Sequence, residues 1–341
     1  MSGGSRGLAA RERRSTDINL FLDTNVYLGF YKLSDDDLEE LKKLSVTVKS
    51  RATALYLTDQ VRDEFRRNRE KTISDSLASL EAAKLPKSFP RLFTNLDGYL
   101  ELRKTLSQFE EQLANLLADA RKAAIENRLG ADELIAELFS LATPLRLTPD
   151  ILEAARMRHD LGNPPGKEDS VGDAVNWESL LAGVPESGEL VLVTADMDYI
   201  SKLDRTVLDG FLRAEWETRK QTPVTAYLSL TALFKHHYPN IRLAAELEKE
   251  LAIDSLVGSQ NFLSTHAAIL KLSQFNDFSL DQATALVEAA NENGQVQRIL
   301  GDDDVRTFFT DIVGRYSAGI DPENIRVLND GMSSTVPPSS P

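Results

Sequence analysis

A few short, apolar, β-prone runs alternating with helical patterns constrain the first 240 residues more than any other feature. Ile18-Asn19-Leu20-Phe21-Leu22 is the first, and it stops abruptly at Asp23-Thr24-Asn25. Runs of this length and composition, bounded by turn residues, read as buried strands. Ala54–Leu57 is the second, Glu189–Thr194 the third and Val224–Leu228 a fourth. Between the first two, Leu38, Leu41 and Leu44 recur at three-residue steps. Ser34 can cap that segment and the acids at 35–37 suit the positive end of a helix, which predicts a helix over 34–44. Thr58 or Asp59 then opens a helix carrying Val61, Phe65 and several arginines. Short strands separated by helices imply an α/β fold with a mainly parallel sheet and right-handed crossovers.

That rhythm stops between Ile73 and Arg158. The longest helical pattern there, near 96–128, carries Leu100, Leu106, Phe109, Leu113, Leu116 and Leu117 on one stripe and reads as an inserted helical hairpin. Leu161–Gly166 breaks the helices, and Asp173–Leu181 starts the next one. The last third differs again, with 15 acidic against 6 basic residues over 246–341. Leu280, Ala283, Leu286, Val287 and Ala290 form one helical face there. Asp302, Asp303 and Asp304 can start another helix carrying Val305, Phe308, Phe309, Ile312 and Val313. The expected layout is a basic tail over 1–15 and an α/β domain over 16–240 with a helical insertion at about 73–165. An acidic helical domain over 241–330 and a Ser/Pro-rich tail over 331–341 follow.

Composition narrows the chemistry. With 53 acidic against 39 basic residues, the net charge of −14 argues against coating duplex DNA by charge alone, so any nucleic-acid contact must be local. The absence of cysteine excludes disulfides, thiolate–zinc sites, iron–sulfur centres and thiol nucleophiles. Four histidines, two of them adjacent, give little support to multi-histidine zinc catalysis. No apolar run approaches the ~20 residues of a membrane span, and the start of the chain lacks a secretory signal. A soluble, cytoplasmic protein whose chemistry rests on carboxylates is expected.

Six acids stand out. Asp23 follows the first strand directly, at the edge where open parallel sheets bind ligands; a simple turn aspartate is the competing account. Asp196 and Asp198 follow the third strand at the same edge, where loop acids also occur as solvated residues or caps. Asp173 precedes Trp177, Leu180 and Leu181 at helical spacing, so it begins a buried stripe. Its alternative is a first-turn acid that favours the helix dipole. Asp169, four residues earlier, suits a cap or an outer-shell group. Glu64 sits among Val61, Phe65 and Asn68, bordering the apolar face of its helix, or else is a surface residue beside the arginines. If these acids converge, their mutual repulsion calls for cations, and an all-oxygen donor set suits Mg²⁺ or Mn²⁺. Such ions serve phosphodiester hydrolysis.

The order of the motifs resembles the PIN-domain nucleases. The matching pieces are FLDTN at 21–25, Glu64 within VRDEFRR, Asp173 within GDAVNW and Asp196 within VLVTADMDY. The resemblance implies a three-layer α/β/α PIN-like fold with a central, mainly parallel sheet, whose acidic pocket binds Mg²⁺ or Mn²⁺ and commonly cuts RNA. It makes Asp23, Glu64, Asp173 and Asp196 metal ligands or water-positioning acids and Asp198 an auxiliary carboxylate. Thr24, Asn25 and Thr194 become hydrogen-bonding supports. The chain is most similar to larger bacterial PIN-like proteins with a helical insertion before the GDA segment and a helical C-terminal region.

Other readings fit less well. A haloacid-dehalogenase phosphatase wants a second aspartate where Asn25 stands, and a von Willebrand-type site wants Asp-x-Ser-x-Ser at 23–27. The chain has no phosphate-cradling GxxxxGK[ST] or GxGxxG loop after its first strand and no GxSxG elbow. The rival from another class is a catalytically silent PIN-like module that binds RNA or protein. Substrate contacts, to RNA or to DNA, are expected from Arg62, Arg66 and Arg67 beside Glu64, and from Lys202 and Arg205 after Asp196. The acidic C-terminal module would repel a phosphate backbone and points instead to a protein partner or self-association.

Overall fold

Each apolar run becomes a strand in a computed structural model that describes residues 18–32, 38–82, 89–166, 170–239 and 241–334. They are β1 (Ile18–Leu22), β2 (Thr53–Thr58), β4 (Glu189–Val193) and β5 (Val224–Tyr227). A further strand, β3 (Thr143–Leu145), lies within the stretch whose sequence reads as purely helical. Three residues are too few to show a period, and β3 is held by its parallel pairing with β2 at the sheet edge. The strand order is β3-β2-β1-β4-β5, and every neighbouring pair is parallel. Leu22, Leu190, Val191, Leu192 and Val193 are fully buried, because helices cover both faces of such a sheet. Each such side chain contributes roughly 1.5–3 kcal/mol of hydrophobic stabilisation.

The helices of this unit are α1 (Thr24–Gly29), α2 (Leu38–Lys49), α3 (Asp59–Ala82), α4 (Tyr99–Ile125), α5 (Gly130–Leu141), α6 (Pro149–Asp160), α7 (Gly172–Gly183), α8 (Gly210–Lys220) and α9 (Leu230–His237). α2 runs five residues beyond the expected end at Leu44, because Val48 continues the buried face begun by Leu41 and Leu44. The Ser34 cap, the acids at 35–37 and Asp169 lie outside the described residues. α3 is continuous from the sheet edge to Ala82. α4 returns antiparallel to it, with Arg69 donating to the Ala124 carbonyl and Arg121 paired with Glu81. The apolar stripe of α4 is covered unevenly, with Leu106 and Leu113 half-buried. Leu117 is buried, whereas Leu100, Phe109 and Leu116 are exposed.

The described residues divide into two compact units, one within 16–240 and the other within 241–341. The second unit is all helical: α10 (Ala244–Val257), α11 (Phe262–Leu272), α12 (Leu280–Glu292), α13 (Gly294–Arg298), α14 (Asp303–Tyr316) and α15 (Pro322–Ser334). Its own core holds Leu256, Ile269, Leu286, Phe309, Ile312 and Leu328. Asn261 and Ser279 cap α11 and α12 by accepting from backbone N–H groups in their first turns. α15 continues to Ser334, so residues 331–334, expected in a disordered tail, are helical. The basic tail over 1–15 and residues 335–341 lie outside the described residues. Among the described residues no helix is long and apolar enough to cross a membrane.

Candidate metal centre

The register of the central strands sets the site. Leu22 pairs with Val193, so the chain leaves the carboxyl edge of the sheet at Asp23 and Thr194 side by side. Asp23 N–H still donates to Val193 O at 3.0 Å, which carries the ladder one residue past β1. Asp23 then caps α1, accepting from Thr24 N at 2.7 Å through Oδ1. Its Oδ2 accepts from Thr194 Oγ1 at 2.7 Å and from Asn25 Nδ2 at 2.5 Å. Asn25 Oδ1 accepts from Ala195 N at 3.0 Å, so the three polar residues lock the two strand ends together. Asp23 is only 4% exposed. Burial raises its pKa from 3.8 to about 6; the hydrogen bonds from Thr194 and Thr24 oppose that rise, and the charges of Glu64 and Asp196 add to it.

Asp196 and Asp198 follow β4 on a short 3-10 turn, Met197–Tyr199. Asp196 N–H donates to Thr194 Oγ1 at 2.9 Å, and Asp196 Oδ1 accepts from Asp198 N at 3.0 Å. Asp173 enters from the first turn of α7. Carboxylate oxygens of Asp173, Asp196 and Asp198 all lie within 4.8 Å of one another. Asp198 Oδ2 is buried and has no hydrogen-bond partner among the described residues. A buried carboxylate oxygen without a donor is costly, and a cation between the three acids relieves both that cost and their repulsion. The donors are all hard oxygens, which fits Mg²⁺ or Mn²⁺ and not a thiophilic ion.

Glu64 lies on the second turn of α3, where Gln60 Nε2 donates to its Oε2 at 3.3 Å. It is outside the group of three converging acids, as is Asp23, yet both belong to the same electrostatic field. Tyr199, fully buried, shows this: burial first, then the charges of Asp173, Asp23, Asp196 and Glu64, push its pKa well above the ordinary value. Its hydroxyl donates to Asp173 O at 3.3 Å, which ties the turn after β4 to the start of α7. Gly172 has a packing reason beside Asp173. A Cβ there would stand 2.7 Å from Gln60 Nε2, so α7 could not approach α3 without moving Gln60 off Glu64.

Sequence reasoning missed Tyr199, although it ends the quoted VLVTADMDY motif, and it missed the ionic support behind α7. Arg158 on α6 is 5% exposed and its guanidinium bonds Glu178 at 2.6 Å and Glu215 at 2.7 Å. Trp177 Nε1 donates to Glu215 Oε2 at 2.8 Å, so α7 is pinned to α6 and α8. A charged residue inside an otherwise ordinary helical pattern gave no signal of this role.

The basic residues sort into two groups. Arg62 pairs with Asp59 at 2.9 Å and Arg66 with Asp63 at 3.8 Å. Arg69 is structural, held by both oxygens of Asp132. Arg67, Lys202 and Arg205 are exposed and make no ion pair among the described residues. His236 and His237 end α9 beside Tyr227, and Trp177 and Trp216 are fully buried core residues.

A family model for the PIN domain matches residues 20–199, just over half of the chain. The chain belongs to the PIN-domain family. The matched span begins within β1 and ends at Tyr199, so it contains Asp23, Glu64, Asp173, Asp196 and Asp198. The PIN domain of this chain is an α/β fold with a parallel sheet and a candidate acidic metal site at its carboxyl edge. Neither the curated proteins nor the solved structures compared with the chain give a match.

Proposed function

We propose that this PIN domain is a metal-dependent phosphodiesterase that cuts RNA internally, with Mg²⁺ or Mn²⁺ held by Asp173, Asp196 and Asp198. The observation that carries the reading is the approach of those three carboxylates to within 4.8 Å at the sheet edge, with Asp23 and Glu64 in the same field. Bound there, a divalent cation supplies Lewis-acid stabilisation of charge growing on a scissile phosphate and makes water more acidic.

The remaining roles fall to the chain itself. Thr194 fixes the Asp23 carboxylate and the Asp196 backbone through one hydroxyl, holding the pocket in register. Asn25 and the Thr24 amide complete the donors around Asp23. Glu64, held by Gln60 and not among the three converging acids, orients the attacking water. Arg67, Lys202 and Arg205 draw the phosphate backbone toward the acids despite the negative total charge, and Arg62 and Arg66 add contacts where substrate displaces their aspartates. The PIN-domain resemblance supports RNA as the substrate class.

The test incubates the purified chain with end-labelled single-stranded RNA and with DNA, in Mn²⁺, Mg²⁺ or chelator. Internal cleavage of RNA that needs the metal and falls at least about 100-fold in Asp173→Asn supports the reading. Equal products from both proteins would assign the activity to a contaminant. Metal binding without cleavage of either polymer would leave the silent, RNA-binding module as the better description.

A further inference from the structure

Between the acidic turn and α8 the chain forms a closed loop. Ile200 and Leu208, both 2% exposed, make an antiparallel bridge that anchors it in the core. On one side of the bridge Ser201 N–H donates to Val207 O at 3.0 Å, and on the other Asp209 N–H donates to Tyr199 O at 2.8 Å. Ser201 Oγ accepts from Leu203 N at 3.2 Å and from Asp204 N at 3.4 Å. Asp204 Oδ1 accepts from Thr206 N at 2.9 Å and from Thr206 Oγ1 at 2.7 Å. The tip thus keeps its shape through its own hydrogen bonds. It presents Leu203, 99% exposed and the most open large apolar side chain among the described residues.

An exposed leucine is ordinary by itself, so its place and its neighbours decide what it does. Leu203 follows Asp198 by five residues, which puts it at most about 18 Å away along even a fully extended chain. Tyr199, at the base of the loop, also donates to Asp173 O, so the loop is tied to the acidic site at both α7 and the turn after β4. Lys202 and Arg205 flank Leu203, are exposed and make no ion pair among the described residues. They outnumber Asp204, the one acid between them, whose carboxylate is directed to Thr206. Two cations around one apolar point match a nucleic-acid strand, whose phosphates suit the cations and whose base faces suit the leucine. We propose that Leu203 packs against one nucleobase of the bound RNA, a fixed number of nucleotides from the acids, with Lys202 and Arg205 on the adjoining phosphates. The tip then sets where along the strand the metal acts. This assignment rests on RNA being the substrate of the acidic site.

The test measures binding of the full-length chain to a fluorescently labelled RNA oligonucleotide in chelator, where cutting plays no part, and cleavage of the same oligonucleotide in Mn²⁺. Leu203→Ala should raise the dissociation constant about five- to tenfold with the salt slope unchanged, because no phosphate contact is lost. Lys202→Ala should instead lower the slope by about 0.7. Leu203→Phe should restore the affinity, and all three variants should keep the circular dichroism spectrum of the natural chain. A scan of single abasic nucleotides supplies the register. One position, at a constant distance from the cut bond, should cost the natural chain as much as Leu203→Ala does, and should cost Leu203→Ala nothing more. Metal-dependent cleavage with binding insensitive to Leu203→Ala would overturn this proposal alone and leave the tip to a protein partner. An abasic penalty that persists undiminished in Leu203→Ala, or no RNA binding at all, would overturn it too. The predicted binding pattern without cleavage would support it and sink the nuclease reading instead.

Discussion

Thr194 Oγ1 donates to Asp23 Oδ2 at 2.7 Å across 171 positions of sequence. The same oxygen accepts from Asp196 N at 2.9 Å, so one buried hydroxyl joins the acid after β1 to the loop after β4. The contact follows from the strand register and brings the separate motifs into one pocket. It also keeps Asp23 in place where burial disfavours its charge.

Asp23 should therefore destabilise the metal-free fold above about pH 6. A raised carboxyl pKa stabilises the fold fully below the unfolded value of 3.8, and that contribution is lost as pH rises through about 6. At pH 7.5 in chelator, Asp23→Asn should unfold at a higher temperature than the natural chain, by an amount corresponding to up to about 3 kcal/mol. Thermal denaturation across pH 4–8 checks this, with the difference shrinking at the acid end. A lower midpoint at pH 7.5 would mean that the Thr194 and Asn25 contacts outweigh the burial of charge.

Arg158 should be the most sensitive position outside the pocket. Its removal leaves Glu178, 8% exposed, and Glu215 facing each other without their shared cation. Arg158→Met should lower unfolding free energy by about 3–5 kcal/mol in urea denaturation. A loss below about 1 kcal/mol would show that Arg219, which lies 3.2 Å from Glu215, compensates.

The C-terminal unit has a pH-sensitive contact of its own. His266 lies 2.8 Å from Asp304 and 3.2 Å from Asp302. The Asp304 hydrogen bond raises its pKa above 6.5 despite some opposing burial, and the charges of Asp304 and Asp302 add to the rise. That stabilisation is fully present below the unfolded value of 6.5 and is lost as pH rises through the folded one. Asp304, whose pKa is lowered because its hydrogen bonds and the His266 charge outweigh burial, loses its share as pH falls below the ordinary 3.8. His266→Gln should cost about 0.5 kcal/mol at pH 5.5, since both groups are partly solvated, and nothing at pH 9. Hydrogen exchange in α14 gives the readout; equal protection of both proteins at pH 5.5 would refute the contact's contribution.

The three exposed cations can be read from salt dependence. Replacing Arg67, Lys202 and Arg205 together by alanine should flatten the dependence of log affinity for single-stranded RNA on log salt by about 2 units, at roughly 0.7 per lost phosphate contact. An unchanged slope would move the substrate path elsewhere.

The sheet and most of the pocket were legible because burial on both faces leaves strands as uninterrupted apolar runs, and acids directly after such runs must fall at one edge. β3 was illegible: Thr143–Leu145 forms through pairing with β2, which no local pattern announces. The stripe on α4 was legible as a pattern but not as to what covers it, since hydrophobic spacing is the same for a core face and for an exposed one. Tyr199 and Arg158 escaped because their value lies in partners 26 and 57 positions away, Asp173 and Glu215. The pairing of Arg62 and Arg66 with acids three residues earlier was visible in the spacing, and it lowers their weight as substrate contacts relative to Arg67.

The most direct measurement is anomalous diffraction from crystals of the chain soaked in Mn²⁺. The account predicts a peak about 2.0–2.2 Å from carboxylate oxygens of Asp173, Asp196 and Asp198, a hard-cation distance, that vanishes in Asp198→Asn. A site formed by other residues, or no peak at a Mn²⁺ concentration that supports cleavage, would contradict it.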